Sequence, residues 1–150
     1  MNLKDKINED LKAAMKSGDK TRLATVRSIR ALILEFEKSG SGKELSNEEE
    51  IKLLSSAAKK RKDSIEQFRN AGRIDLAEKE EAELNILMSY LPKQLSQEEI
   101  DIEVKKIAEE INAKSKEDFP KLMPEVMKQL KGKADGKLVK KSVENYLGSN

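Results

Sequence analysis

The sequence predicts an all-α protein, with a four-helix N-terminal subdomain over residues 1–91 followed by a three-helix C-terminal subdomain over residues 92–150. Three observations lead there. Charged residues make up 39% of the 150 and aromatic residues only 3%, with 3 Pro and 7 Gly, a composition that suits solvated helices and not strands. Apolar residues recur three and four apart, the spacing of one helical face. Finally, Leu91-Pro92 interrupts that pattern, because proline disfavours helical geometry in the residue before it.

The first helix opens at Asn2, and Leu3, Ile7, Leu11, Ala14 and Met15 form its apolar stripe. Ser17-Gly18 closes it. Asp19 caps a second helix that turns Leu23, Val26, Ile29, Ile33 and Phe36 to the core and keeps Arg22, Arg27 and Arg30 nearer the margin. Residues 39–43, Ser-Gly-Ser-Gly-Lys, read as a flexible loop with nothing to bury. Ser46 and Glu49 have capping-box spacing, and Glu48-Glu49-Glu50 stands where a helix start favours negative charge. The third and longest helix runs through Ile51, Leu54, Ala58, Ile65 and Phe68 to Gly72. Lys59, Lys62, Arg69 and Arg73 project from one side as a basic stripe. It reads as a solvated face offset by Asp63 and Glu66, or as a secondary track for nucleic acid.

A fourth helix from Arg73 to Tyr90 is expected to bury Leu76, Leu84, Leu87, Met88 and Leu91 and to display Glu78, Glu80, Glu81 and Glu83. After Pro92, Ser96 and Glu99 form a second capping box, and Ile100, Val104, Ile107 and Ile111 give the fifth helix its seam. Asn112-Ala113-Lys114 ends it. Ser115 with Asp118 opens the next segment, in which Phe119, Leu122, Met123, Val126, Met127 and Leu130 keep helical spacing. Pro120 fits a first turn, whereas Pro124 is expected to kink this helix or to mark the start of a shorter one. The last helix runs from Asp135 through Leu138, Val139, Val143 and Tyr146 to Leu147, before Gly148-Ser149-Asn150 frays.

Much chemistry is excluded by composition. The chain has no cysteine, so disulfides and thiolate nucleophiles are absent, and no histidine, so imidazole catalysis and histidine metal ligation are absent too. The fourth helix's carboxylates lack the histidines of a Glu-x-x-His di-iron site, and Lys79 with third-helix bases can neutralise them. No metal and no cofactor is expected. Neither Gly132-Lys133-Ala134 nor Gly136-Lys137-Leu138 meets the phosphate-loop pattern. No apolar run resembles a signal peptide or approaches the roughly 20 residues that span a bilayer, so a cytoplasmic protein without a membrane partner is expected.

One short stretch combines turn chemistry with positive charge. Gly132 can close a helix in the left-handed conformation, and Asp135 can cap the helix that follows. Lys131, Lys133 and Lys137 surround this joint, and a helix start with lysines beside it can seat a phosphate or another anion. The same residues also serve ordinary capping. Although the net charge is only +2, residues 120–150 hold 7 basic and 3 acidic groups. Aromatic residues are few, so contacts with RNA would be to phosphate and shape.

Three runs carry a resemblance: Arg61-Lys62-Asp63-Ser64-Ile65-Glu66-Gln67-Phe68, Tyr90-Leu91-Pro92-Lys93-Gln94-Leu95-Ser96, and Leu130-Lys131-Gly132-Lys133-Ala134-Asp135-Gly136-Lys137-Leu138-Val139. Together they resemble the bacterial YqeY family across nearly the whole chain. The C-terminal part is similar to the tail domain of the glutamyl/aspartyl-tRNA amidotransferase B subunit and to a domain appended to some glutaminyl-tRNA synthetases. The resemblance implies an all-helical, two-part architecture and a tail that contacts tRNA away from the reacting end. It implies phosphate contacts from Lys128, Lys131, Lys133, Lys137, Lys140 and Lys141, with Gly132 and Gly136 permitting close backbone approach. Pro120 and Pro124 depart from the family's expected pattern. The resulting expectation is a non-catalytic module for tRNA or a tRNA-handling complex. A protein–protein adaptor and an accessory to carbon–nitrogen ligation with glutamine as amide donor are the alternatives.

Overall fold

The protein is described here by a computed structural model that covers residues 1–40, 42 and 44–148. Within the described residues the chain is all-α. The helices are α1 (Leu3–Ser17), α2 (Lys20–Lys38), α3 (Asn47–Asn70), α4 (Ile74–Met88), α5 (Gln97–Ile111), α6 (Phe119–Gln129) and α7 (Gly136–Gly148), with a 3-10 turn at Lys116–Asp118 before α6. Ser41 and Lys43 of the expected loop, and Ser149 and Asn150 of the expected frayed end, lie outside the described residues. The backbone divides into two compact units, Met1–Leu91 and Pro92–Asn150.

In the first unit α1, α2 and α3 each start on a side-chain acceptor for a free N–H group, whereas α4 starts after Arg73 with no side-chain cap. The Asn2 side chain accepts from the Asp5 N–H at 2.8 Å, and Asp19 Oδ1 accepts from the Arg22 N–H at 3.0 Å. Between them Gly18 takes φ 74°, a left-handed turn that a side chain would strain. Ser46 Oγ accepts from the Glu49 N–H at 3.2 Å, but the Ser46 N–H goes to the Glu44 carbonyl at 2.8 Å, so half of the expected box forms. Glu50 does something the sequence did not indicate, accepting from the Leu3 N–H at 3.2 Å and so capping α1 from α3. The core gathers Leu3, Ile7, Val26, Ile29, Ile33, Leu54, Ala58 and Leu87.

Several residues of this unit depart from expectation. Met15 is 59% exposed, because Ala14 alone fills the core side of that last turn. Glu83, expected on the surface, is 8% exposed, and Ala77 is buried on the same helix.

In the second unit the box at Ser96 and Glu99 closes in both directions, at 3.2 and 3.1 Å. Those bonds hold the Glu99 carboxyl below its ordinary pKa. Asn112 ends α5 in the left-handed conformation, at φ 58°. Asp118 then accepts from the backbone N–H groups of Lys114 at 2.7 Å and Ser115 at 3.2 Å, which lowers its pKa and fixes the entry to α6. Helix α6 runs from Phe119 through Pro124, so of the two expectations for that proline, a kink or a later helix start, the later start does not hold. The N–H that Pro124 lacks would have reached the Pro120 carbonyl, so the loss is confined to one bond near the helix start. The core holds Ile100, Val104, Ile107, Ala108, Ala113, Leu122, Val126, Leu130, Val139, Val143 and Leu147. Met127 and Leu138, expected in it, are 40% and 37% exposed, and Ser142 is buried in their stead on α7. Its hydroxyl donates to Asp101 Oδ1 at 2.5 Å, which satisfies it.

A braced basic turn as the candidate anion site

The α6–α7 joint is held from within and from outside. Within it, the Leu130 N–H donates to the Val126 carbonyl and the Lys133 N–H to the Leu130 carbonyl, each at 2.9 Å. Gly132 sits at φ 76°, where any other residue costs about 1–2 kcal/mol. Asp135 caps α7, its Oδ1 accepting from the Lys137 N–H at 2.8 Å while its carbonyl accepts from the Val139 N–H at 3.0 Å. The segment after Pro92 supplies the outside brace. Gln94 Nε2 donates to the Pro92 carbonyl at 2.8 Å and to the Gly132 carbonyl at 2.7 Å, and the Leu95 N–H donates to the Lys133 carbonyl at 2.7 Å. Two consecutive turn carbonyls, which would repel an anion, are thereby engaged by protein donors. Gln97 Nε2 reaches the Leu138 carbonyl at 3.4 Å and Asp101 at 3.2 Å, tying α5 to the first turn of α7.

Lys128, Lys131, Lys133, Lys137, Lys140 and Lys141 are all exposed around this braced turn. Lys140 lies 3.9 Å from Glu144 with both side chains more than half exposed, a solvated pair that leaves the ammonium available. Lys131, Lys137 and Asp135 take part in interactions of their own. Between residues 128 and 141 there are six lysines and one acid, Asp135. At Gly136 a Cβ would meet only the Met127 methyl at 3.7 Å, an ordinary contact, so packing within the chain does not itself require glycine there.

The secondary stripe is not one continuous face. Lys59 is exposed and Lys62 is partnered. Arg69 forms an ion pair with Glu81 of α4. Arg73 lies beyond the end of α3 and pairs with Asp75 at 3.4 Å, which lowers the Asp75 pKa.

Sequence reasoning missed a polar knot in the first unit. Arg61 Nη1 donates to Glu83 Oε2 at 2.5 Å and to Glu80 Oε2 at 3.0 Å, and Nη2 donates to Ser28 Oγ at 3.1 Å. One guanidinium thus joins α2, α3 and α4. The signal was present in spacing, since Arg61 falls three after buried Ala58 and four before buried Ile65. Elsewhere in the same unit, Tyr90 donates to Asp10 at 2.5 Å with Lys6 Nζ 5.5 Å from its ring centroid; burial first, then Asp10, raises the Tyr90 pKa far above its ordinary value.

Among the described residues no group of acids is placed to hold a metal ion, and no helix is long and apolar enough to cross a membrane. Two helical units, the second carrying a lysine-ringed joint, define an all-α protein with a basic helix–turn–helix surface. The model of the Yqey-like protein family matches residues 4–147, and the chain belongs to that family. It is 35% identical over 149 residues to the altered inheritance of mitochondria protein 41 of Pyrenophora tritici-repentis, covering 96% of this chain and 80% of that one. Its counterpart in Lachancea thermotolerans is 36% identical over 107 residues, covering 70% and 57%. An uncharacterised protein of Schizosaccharomyces pombe is 37% identical over 95 residues, covering 63% and 76%. The first two relatives are named as mitochondrial, which overturns the expectation of a cytoplasmic protein drawn from the lack of an apolar leader.

Proposed function

We propose that this chain is a non-catalytic helical module that grips tRNA, or a complex that handles tRNA, through the lysines of the α6–α7 joint. In this reading the first four helices form a separate scaffold or partner-binding subdomain and the last three form the RNA-binding one. The observation that carries it is six exposed lysines over 14 residues, set on a turn whose carbonyls are already engaged. Lysines grouped in this way neutralise phosphates, and phosphate contacts supply most of the non-specific affinity for nucleic acid. None of Phe36, Phe68, Tyr90, Phe119 and Tyr146 is exposed, so stacking on unpaired bases is not available and recognition rests on backbone and shape. The relatives' mitochondrial names favour an organelle as the setting.

The test is fluorescence anisotropy of labelled tRNA with the purified chain. Lys131→Ala with Lys133→Ala is expected to weaken binding at least tenfold at low salt, while Lys59→Ala leaves it within a factor of two. Absent binding, or equal loss from both variants, contradicts the proposal. Glutamine-dependent amidation by the chain alone would replace this reading with the ligation one.

A further inference from the structure

A cleft of about 340 Å³ opens in the first unit, lined by Ser28, Ile29 and Leu32 of α2, residues of α3 from Leu53 to Arg61, and Leu87 of α4. Its origin is in the packing: α2 and α3 each lie along α4, with little direct contact between them. The volume falls in the range of small-ligand sites, about 300–1,000 Å³. Five side chains, Ile29, Leu32, Leu53, Ala57 and Leu87, give it an apolar lining. Its polar groups are the hydroxyls of Ser28 and Ser56, the first already donating to the Thr25 carbonyl at 2.7 Å, and the cations Lys60 and Arg61; no described carboxylate lines the cleft. Glu80 and Glu83 are engaged by Arg61, and the Arg61–Ser28 bond fixes the α2 and α3 walls relative to each other before anything binds. Lys60, which also lines the cleft, is exposed.

From an apolar lining with an exposed ammonium and no carboxylate, we infer that this cleft binds a small amphiphilic carboxylate, with its hydrocarbon chain against Leu32, Leu53 and Leu87 and its carboxylate at Lys60. Charge complementarity selects the anion over a neutral or cationic chain of equal length. Chain length sets affinity, because each methylene moved from water to the lining strengthens binding by about two- to fourfold in a half-open site. The inference does not depend on RNA binding by the second unit.

The experiment uses the full chain with methyl-labelled leucine and titrates hexanoate, octanoate, octanol and octylammonium, reading chemical shifts of Leu32 and Leu53. Octanoate should move those methyls and bind about two- to fourfold tighter per added methylene than hexanoate. Octanol should bind about three- to tenfold more weakly than octanoate, and octylammonium more weakly still. Lys60→Ala, at an exposed position, should abolish the preference for octanoate over octanol with the fold intact. Ala57→Phe should abolish both responses. Equal binding of octanol and octanoate, a preference that survives Lys60→Ala, or shifts confined to residues outside the cleft would each overturn the inference. So would tRNA moving the same methyls while octanoate leaves them still, since the cleft would then be part of a nucleic-acid surface.

Discussion

The Arg61–Glu83 pair offers a test of how the first unit is held together. The side chains are 16% and 11% exposed, and the guanidinium also serves Glu80 and Ser28. Replacing Glu83 with leucine leaves Arg61 short of its best partner in a site that water reaches poorly. Replacing Arg61 with methionine leaves two carboxylates facing each other. Removing one member of a fully buried pair costs about 3–5 kcal/mol. Because these groups keep some solvent and Glu80 stays in reach, each single substitution should cost about 2–4 kcal/mol. The combined Arg61→Met, Glu83→Leu variant should cost less than either single one, since an apolar pair of similar volume carries no stranded charge. Urea unfolding followed by helix ellipticity, with hydrogen exchange at Ala58 and Leu87 to report on this unit, measures all three. Singles within 0.5 kcal/mol of wild type (a threshold at the level of ordinary surface changes), or a double whose cost equals the sum, would refute the assignment of Arg61 as the joint of three helices.

Other expectations follow from local geometry. Gly132→Ala should destabilise the second unit by about 1–2 kcal/mol because of its φ of 76°, whereas Gly136→Ala should be neutral or mildly stabilising; thermal melts of the two separate them. Gln94→Ala removes two hydrogen bonds, to Pro92 and Gly132, and should cost about 1–2 kcal/mol and speed amide exchange between residues 131 and 137. Tyr90 is raised in the folded state, so above pH about 10 the unfolded chain loses this proton first and stability falls as pH rises. Tyr90→Phe should remove that part of the alkaline decline, measured as urea midpoints from pH 8 to 11.

Helix starts were the most legible part of the sequence. Asn2, Asp19, Ser96 and Asp135 each act as caps, since a cap depends on residues within one turn of itself. The apolar register of α5 was equally plain, with Ile100, Val104 and Ile107 buried as their spacing predicts. Glu83 was not legible as a core residue, because a run of glutamates does not say which one meets an arginine from another helix. Its spacing from buried Leu87 was the available sign. The exposure of Leu138 and the burial of Ser142 were hidden for a similar reason: hydropathy favours burying the leucine, but only a partner such as Asp101, 41 residues away, makes burial of the serine favourable. At the joint, the lysines and Asp135 could be read directly, whereas the brace from Gln94 and Leu95 could not, because it links a side-chain amide and a backbone N–H to carbonyls 38 positions away. That brace gives a physical reason for the second and third family-like runs to occur together.

The central claim is that the α6–α7 joint meets phosphates, and the salt dependence of tRNA binding tests it most directly. Each lysine–phosphate contact contributes about one unit to the slope of log affinity against log salt concentration. Wild type should therefore show a steep negative slope, and Lys131→Ala with Lys133→Ala should make it shallower by about two units. A slope near zero, or one that the two substitutions leave unchanged, would contradict the account.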